Sequence, residues 1–389
     1  MKFVDEVEIK NKTVLLRVDM NVSLNPNHSI ADDARIRQSL PTIEHLLKHN
    51  NKLIIIAHLG EPVKRNPADS LIRVKNRLHE YLPKCTISFA EDFLKNPDIA
   101  TLNDSNITML ENIRFYPGET ENDPEFAKQL ASLAEVYVND AFGVSHRKHA
   151  SVVAITKFLP SYGGLLLKKE IANLLKLTDN PKKPFVAIMG GKKITTKIKF
   201  INKLIKFADY LLLGGGLANT FLVAEGNKLG DSLVSEEDIK LAKQILSRAK
   251  EHKTQIVLPK DAVVANSIHS KTSEVRKITE IKPTDEILDI GPETEAEFGK
   301  IIDDALTIVW NGPVGYMENP VFKRGTDFLY YSITDNEKAI SVVGGGDTLS
   351  AISKKEYLEK ITHISTGGGA MLEFIENGTL PGIEALKNN

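Results

Sequence analysis

Four glycine clusters, Gly190-Gly191, Gly214-Gly215-Gly216, Gly344-Gly345-Gly346 and Gly367-Gly368-Gly369, each follow a short apolar run in the second half of the chain. A strand that ends in glycine and then opens a helix leaves bare backbone N–H groups facing outward, which is a seat for phosphate. Lys193, Lys197, Asn311, Asp347 and Thr348 stand beside these clusters. Their types suit a nucleotide polyphosphate and its metal: ammonium groups offset phosphate charge, and Asp347 supplies the single carboxylate that a phosphate-bound Mg²⁺ commonly takes. Ile194, Ile198, Ile201 and Ile205 follow helical spacing, which predicts Lys193 and Lys197 one turn apart at a helix N-terminus. Two cations there oppose the helix dipole, a local cost that a bound polyphosphate reverses.

The first half carries a different set. Asp19 and Asn21, His58, Arg114, and Asn139-Asp140 leading to His146 and Arg147 each follow an apolar run, and Arg35 lies between the first two. Several cationic donors with two small polar groups suit a small, highly anionic, hydroxylated ligand.

Each signal also has a plain structural reading. Three glycines after a strand are what any tight βα turn uses, and Asp347 or Thr348 beside them could simply cap a helix. Asn311-Gly312-Pro313 could be an ordinary turn, the run His146-Arg147-Lys148-His149 a solvated loop, and Lys193 and Lys197 solvated surface charges. Gly190 to Lys197 lacks the P-loop spacing. No transition-metal ligand spacing and no nucleophile elbow stands out. It is the recurrence of four clusters after strands of one half that favours the nucleotide.

The elements that must position these residues are legible as Val/Ile/Leu-rich runs at 13–18, 53–57, 107–110 and 136–138, then 185–189, 209–213, 255–258, 307–310, 340–343 and 361–364, alternating with helical stretches. Continuous apolar strands between helices predict an α/β fold with parallel sheets covered on both faces. At 389 residues two domains are expected. The helical stretch 165–177, ended by Asp179-Asn180-Pro181-Lys182-Lys183-Pro184, is the best junction. A net charge of −1 gives the whole molecule no bias toward nucleic acid or a membrane surface. The lone Cys85 excludes an internal disulfide and fits a reducing compartment. MKFVDEVEIKNK has no apolar h-region, and the apolar runs are too short to span a bilayer, so a cytoplasmic protein is expected.

End to end, the chain resembles phosphoglycerate kinases. The motifs that carry the resemblance are RVDMNVSL (17–24), DARIRQSLPTI (33–43), HLGEP (58–62), MLENIRF (109–115), NDAFGVSHRKHAS (139–151), GGKKITTKI (190–198), LLLGGGLANTFL (211–222), DIGPET (289–294), IVWNGPVGYME (308–318), VVGGGDT (342–348) and STGGGAMLE (365–373). The resemblance implies two doubly wound, Rossmann-like parallel-sheet domains joined by a hinge helix. These are a substrate domain over 1–167, a connecting helix and linker over 168–184, a nucleotide domain over 185–371, and a tail over 372–389 that packs back on the first domain. It implies reversible phosphoryl transfer between 1,3-bisphosphoglycerate and ADP, giving 3-phosphoglycerate and ATP by domain closure, with Mg²⁺, in a cytoplasmic monomer.

Carried over by position, Asp19 and Asn21 would meet the glycerate hydroxyl region and Arg35 the carboxyl end where the phosphoryl group moves. His58, Leu59, Gly60, Glu61, Arg114 and Arg147 would form the remaining substrate site, with His58, Arg114 and Arg147 on the distal phosphate. Lys193 and Lys197 would contact the nucleotide phosphates, Gly214, Gly215 and Gly216 the adenine, and Glu318 the ribose. Asn311, Gly344, Gly345, Gly346, Asp347 and Thr348 would complete the phosphate seat, with Asp347 on Mg²⁺. Arg35, Lys193, Gly345 and Gly368 would surround the transferred group.

The family's HLGRP carries an arginine where this chain has Glu61, and that arginine helps hold the substrate phosphate. A charge-assisted hydrogen bond contributes roughly 1.5–3 kcal/mol, so its loss weakens substrate binding. Lys64 and Arg65 are the cations of the same loop that could replace it. Glu61→Arg is therefore expected to lower the substrate KM in steady-state assays, and an unchanged or higher KM counts against this reading. Lys192, where relatives often carry a small residue, adds a charge without an assigned role. Two rivals remain at the level of sequence. One is a kinase acting on another small carboxylate, separated by assaying unphosphorylated acids; the other is a two-lobed binding protein, separated by assaying ATP turnover.

Overall fold

The computed structural model describes every residue except 96–104, Thr196, Lys355 and Asn389, and only the backbone of Asp347. The chain divides into two compact units, residues 1–172 with 379–389 and residues 173–378. The division falls inside the helix Leu165–Thr178.

The N-terminal unit is built on a six-stranded parallel sheet, ordered Ile87–Ala90, Ile107–Leu110, Lys52–Ile56, Thr13–Arg17, Val136–Asn139, Ser161–Gly163. Val14, Leu15 and Leu16 are wholly buried, as a central strand covered on both faces requires. Register decides what the sheet presents at its carboxyl edge. Arg17 pairs with Ile56 and with Asn139, so Asp19, His58 and Asp140 leave the sheet as neighbours. The helix Pro124–Ala131 has proline in its first turn and Asp123 as cap, whose carboxylate accepts the Glu125 N–H at 2.9 Å.

The second unit carries a parallel sheet ordered Gln255–Val257, Tyr210–Leu213, Phe185–Met189, Thr307–Asn311, Ile340–Gly344, His363–Ser365. Asn311 pairs with both Met189 and Gly344, Leu213 with Met189, and Gly344 with Ser365. All four glycine clusters therefore emerge at one edge.

The parallel sheets match the α/β expectation, and the structure adds elements the sequence pattern does not reveal. Ile87–Ala90 and Ser161–Gly163 are short edge strands with polar residues among the apolar ones. The second unit also holds a three-stranded antiparallel sheet, Glu274–Lys277, Asp261–Ala265 and Glu286–Ile290 in that order. Glu274–Lys277 is charged, with its apolar Val275 exposed, so no hydrophobic period marks it.

Leu372 lies inside the helix Gly368–Asn377, and the chain returns to the N-terminal unit after Gly378. There the helix Pro381–Lys387 buries Ile383 and Leu386, and the Gly382 N–H donates to the Ser145 carbonyl at 2.8 Å. A Cβ on Gly382 would come within 2.7 Å of Val152, so this contact needs glycine.

Candidate active site

In the second unit the glycine edge opens into a cavity of about 800 Å³. Its walls include Gly191, Lys197, Gly215, Gly216, Asn311, Glu318, Gly345, Thr348 and Gly368, from every predicted glycine cluster. The backbones meet tightly at its base. A Cβ on Gly190 would lie 1.8 Å from the Pro313 carbonyl oxygen, and one on Gly368 would lie 2.8 Å from the Gly345 Cα. Gly345 itself has φ +95°, a region that L side chains rarely adopt. Glycine here thus does more than turn the chain: it lets strands from separate βα units present backbone to the same space.

Side chains lock the base. Thr348 Oγ1 accepts the Gly312 N–H at 2.8 Å and donates to the Gly344 carbonyl at 2.8 Å. Asn311 Nδ2 donates to that same carbonyl at 3.0 Å. Lys197 Nζ donates to the carbonyls of Gly190 at 2.7 Å and Asn311 at 3.3 Å, so its cation is held at the glycine edge. Gly214 sits behind the wall, where a Cβ would meet Val314 at 2.4 Å. Gly344 also lies behind it, packed on Met371, whereas Gly346 is exposed at the start of the helix Gly346–Ala351. The side chain of Asp347 lies outside the described residues.

One expectation is corrected. The helix begins at Ile198, not upstream of Lys193, because the N–H groups of Ile194 and Thr195 donate to Asp238 Oδ2 at 3.0 and 3.3 Å. Lys193 therefore stands in the loop before the helix, and its ammonium pairs with Glu237 at 2.7 Å. Lys192, in contrast, lines the cavity. The apolar part of the lining, with Leu233, Leu288, Tyr316 and Leu372, was not read from the sequence. Leu233 and Tyr316 come from loops with no period to mark them, whereas Leu288 lies in the strand Glu286–Ile290 and Leu372 in the helix Gly368–Asn377; Tyr316 and Leu372 fall inside the motifs IVWNGPVGYME and STGGGAMLE.

In the N-terminal unit the sheet edge gathers Asp19, Asn21, Arg35, His58, Arg114 and Arg147 with two elements the sequence left unassigned, Arg17 and Glu119. Arg35 Nη1 donates to Asp19 Oδ2 at 2.6 Å. Asn21 Oδ1 accepts the Gly60 N–H at 2.8 Å, and Arg114 Nη1 donates to the Gly60 carbonyl at 2.8 Å. Both polar backbone groups of Gly60 thus hold neighbouring side chains. The Leu59 side chain is buried, and its carbonyl accepts from Asn112 Nδ2 at 2.7 Å. Glu61 sits between Arg114 and Arg147, at 3.2 and 3.1 Å. Arg65 is engaged elsewhere: it donates to the Glu91 carbonyl at 2.8 Å and lies over the rings of Phe115 and Tyr116.

Beneath this cluster the fully buried Arg17 lies 3.9 Å from Glu119, which also accepts the Ser151 N–H at 2.8 Å and hydroxyl at 2.6 Å. Burial and the neighbouring arginines hold His58 well below the usual histidine pKa. Burial, then Arg114 and Arg17, push His149 down to about 4. The basin is thus positive through its arginines, with neutral imidazoles.

That arrangement has a pH consequence. The unfolded His149 takes up a proton near 6.5, the folded one only near about 4. The folded state binds fewer protons in this window, so stability is full above it and falls as pH drops through it. The loss from His149 is expected to reach at most about 3 kcal/mol. Urea titrations at stepped pH should show a shallower acid slope in His149→Gln; an unchanged slope assigns the loss to other groups.

With this geometry in view, the comparisons decide the family. Residues 4–378 match the family model for phosphoglycerate kinase. The chain belongs to the phosphoglycerate kinase family. It is 45% identical to the phosphoglycerate kinase of Koribacter versatilis, over 99% of this chain and 98% of that one, and 44% identical to that of Dictyoglomus turgidum, over 98% and 97%. The solved phosphoglycerate kinase from Coxiella burnetii superposes with a TM-score of 0.87 at 36% identity, covering 99% of this chain and 98% of that one. That from Pyrococcus horikoshii gives 0.87 at 30% identity, covering 100% and 98%. The chain is accordingly a phosphotransferase, catalysing the glycolytic exchange of a phosphoryl group between 1,3-bisphosphoglycerate and ADP.

Proposed function

We propose that the second unit holds ADP or ATP in its glycine-walled cavity, that the N-terminal unit holds 3-phosphoglycerate in its arginine basin, and that closure about the helix Leu165–Thr178 brings the two together. The observation that carries this reading is the contrast between the chemistry of the cavity and that of the N-terminal side-chain cluster. One wall is bare backbone with Lys197 and an apolar flank, suited to a polyphosphate and a base; the other is a set of guanidinium groups around Asp19 and Asn21, suited to a small anion with hydroxyls.

The reaction needs little covalent help. An oxygen of the ADP β-phosphate attacks the phosphorus of the acyl phosphate, the bond from phosphorus to the carboxyl oxygen breaks, and 3-phosphoglycerate leaves as a carboxylate. A carboxylic acid with pKa about 3.5–4 departs ionised at neutral pH, so no general acid is required. What remains is to align two anions, offset their repulsion and keep water from the acyl phosphate. Arg35 would act at the carboxyl end, and Lys193 would leave Glu237 to meet the transferred group, with Gly345 and Gly368 supplying backbone N–H groups. Gly368 and Gly345 pack backbone to backbone, and that bare edge suits phosphate oxygens; Asp347 would supply the carboxylate that holds a nucleotide's Mg²⁺. Bound there, Mg²⁺ would neutralise phosphate charge.

We further infer a monomer acting in the cytoplasm without nucleic-acid or membrane partners. Supporting this, no helix among the described residues is long and apolar enough to cross a membrane, and the net charge is −1. A coupled assay of ATP turnover with 3-phosphoglycerate and with unphosphorylated acids tests the reading. Turnover confined to the phosphorylated acid is expected; equal turnover of an unphosphorylated acid would overturn the substrate assignment.

A further inference from the structure

One carboxylate oxygen in the N-terminal unit holds two guanidinium groups. Glu61 Oε1 lies 3.2 Å from Arg114 Nη1 and 3.1 Å from Arg147 Nη2. A single oxygen shared by two arginines is the way a phosphate oxygen is gripped. The other cations of the basin have acceptors of their own, Arg35 on Asp19 at 2.6 Å and Arg17 near Glu119 at 3.9 Å. Polar capacity is left over: Arg114 Nε and the buried Nδ1 atoms of His146 and His149 have no hydrogen-bond partner. Burial works against the Arg114 charge, and Glu61 is the strongest influence that restores it. Glu61 itself stands on an open loop, its side chain 65% exposed, next to the solvated Val63. It can swing out without unpacking the core, whereas the buried Arg114 is held by the Gly60 carbonyl at 2.8 Å.

We propose that Glu61 is a built-in counter-anion: its carboxylate occupies the seat of the substrate's phosphate ester, and the incoming phosphate displaces it. The inference rests on the assignment of Arg114 and Arg147 to that phosphate, and deepens it. Binding then becomes an exchange, in which every ligand that enters the seat must first break the same two ion pairs. Glu61 does more than forgo a contact; it competes for the site. A phosphate ester carries close to two negative charges and three acceptor oxygens, so it outcompetes a single carboxylate. In the empty site the same carboxylate keeps two facing cations from repelling each other, which holds Arg147 over the basin.

The exchange is tested by titrating full-length protein, without nucleotide, as wild type, Glu61→Gln and Glu61→Ala, with circular dichroism to show that each is folded. The probes are 3-phosphoglycerate, inorganic phosphate, and glycerate, which lacks a group for the seat. The Kd for 3-phosphoglycerate and for inorganic phosphate is expected to fall roughly three- to tenfold in both variants, the scale of a partly exposed ion pair, while glycerate is unmoved. Unchanged or weaker binding of the phosphates in folded variants overturns the inference, as does an equal gain for glycerate, which would place the effect outside the seat. A wild-type chain that fails to turn over 3-phosphoglycerate would remove the proposed function; tighter binding of inorganic phosphate in the variants would still carry the counter-anion.

Discussion

Lys193→Ala is expected to lower kcat by a factor on the order of 10²–10³, the scale for removing one preorganised charge from a developing transition state. The ammonium rests on Glu237 at 2.7 Å with both partners more than half exposed, so the pair contributes little to stability and can be exchanged for phosphate. Its N–H neighbours at Ile194 and Thr195 are pinned by the buried Asp238, which fixes the loop and leaves the lysine side chain as the moving part. The mutation should therefore change turnover and leave the melting midpoint close to wild type. Steady-state kinetics in both directions, with a thermal melt, measure this; near-normal turnover would remove Lys193 from the mechanism. Glu237→Gln should move in the opposite sense for nucleotide binding, because it removes the carboxylate charge that competes for the ammonium.

The largest effect on stability is expected at Glu119. Glu119→Gln keeps the shape of the side chain and an acceptor for Ser151, but leaves the fully buried Arg17 without its anion. Removing one member of a buried pair costs about 3–5 kcal/mol, because the other charge stays in a medium that solvates it poorly. The lost anion also raises the potential felt by His58, His149 and Arg114 just above. Urea unfolding should be followed by far-UV circular dichroism, since the only tryptophan, Trp310, lies in the other unit. The double variant Arg17→Met/Glu119→Gln should recover part of the loss. A decrease below about 1 kcal/mol in the single variant would show that the pair is not what holds this layer together.

Both predictions depend on features with unequal visibility in the linear chain. The parallel α/β class was legible because a strand buried on both faces is apolar through its centre, as Val14 to Leu16 and 185–189 are. The glycine clusters and the residues after each strand were legible as well, since the carboxyl edge of a parallel sheet is where such residues collect. The antiparallel sheet was not, because Glu274–Lys277 has no apolar face to bury. Arg17 and Glu119 escaped for a different reason: charged residues are read as solvated, and only their mutual approach in the folded chain makes burial tolerable.

The residue types alone determined which chemistry this protein can perform: cations and small polar groups in one half, bare glycine backbone with lysines in the other, and no nucleophile elbow in either. Tertiary structure alone decided how those groups stand before substrate arrives. Strand register brought Gly190, Gly312 and Gly345 to one edge, the Asp238 carboxylate kept Lys193 off the helix, and the approach of Arg114 and Arg147 placed Glu61 between them. The physical reason is that propensity and pattern act over a few residues, whereas a charge finds its partner through space, across tens of residues of intervening chain.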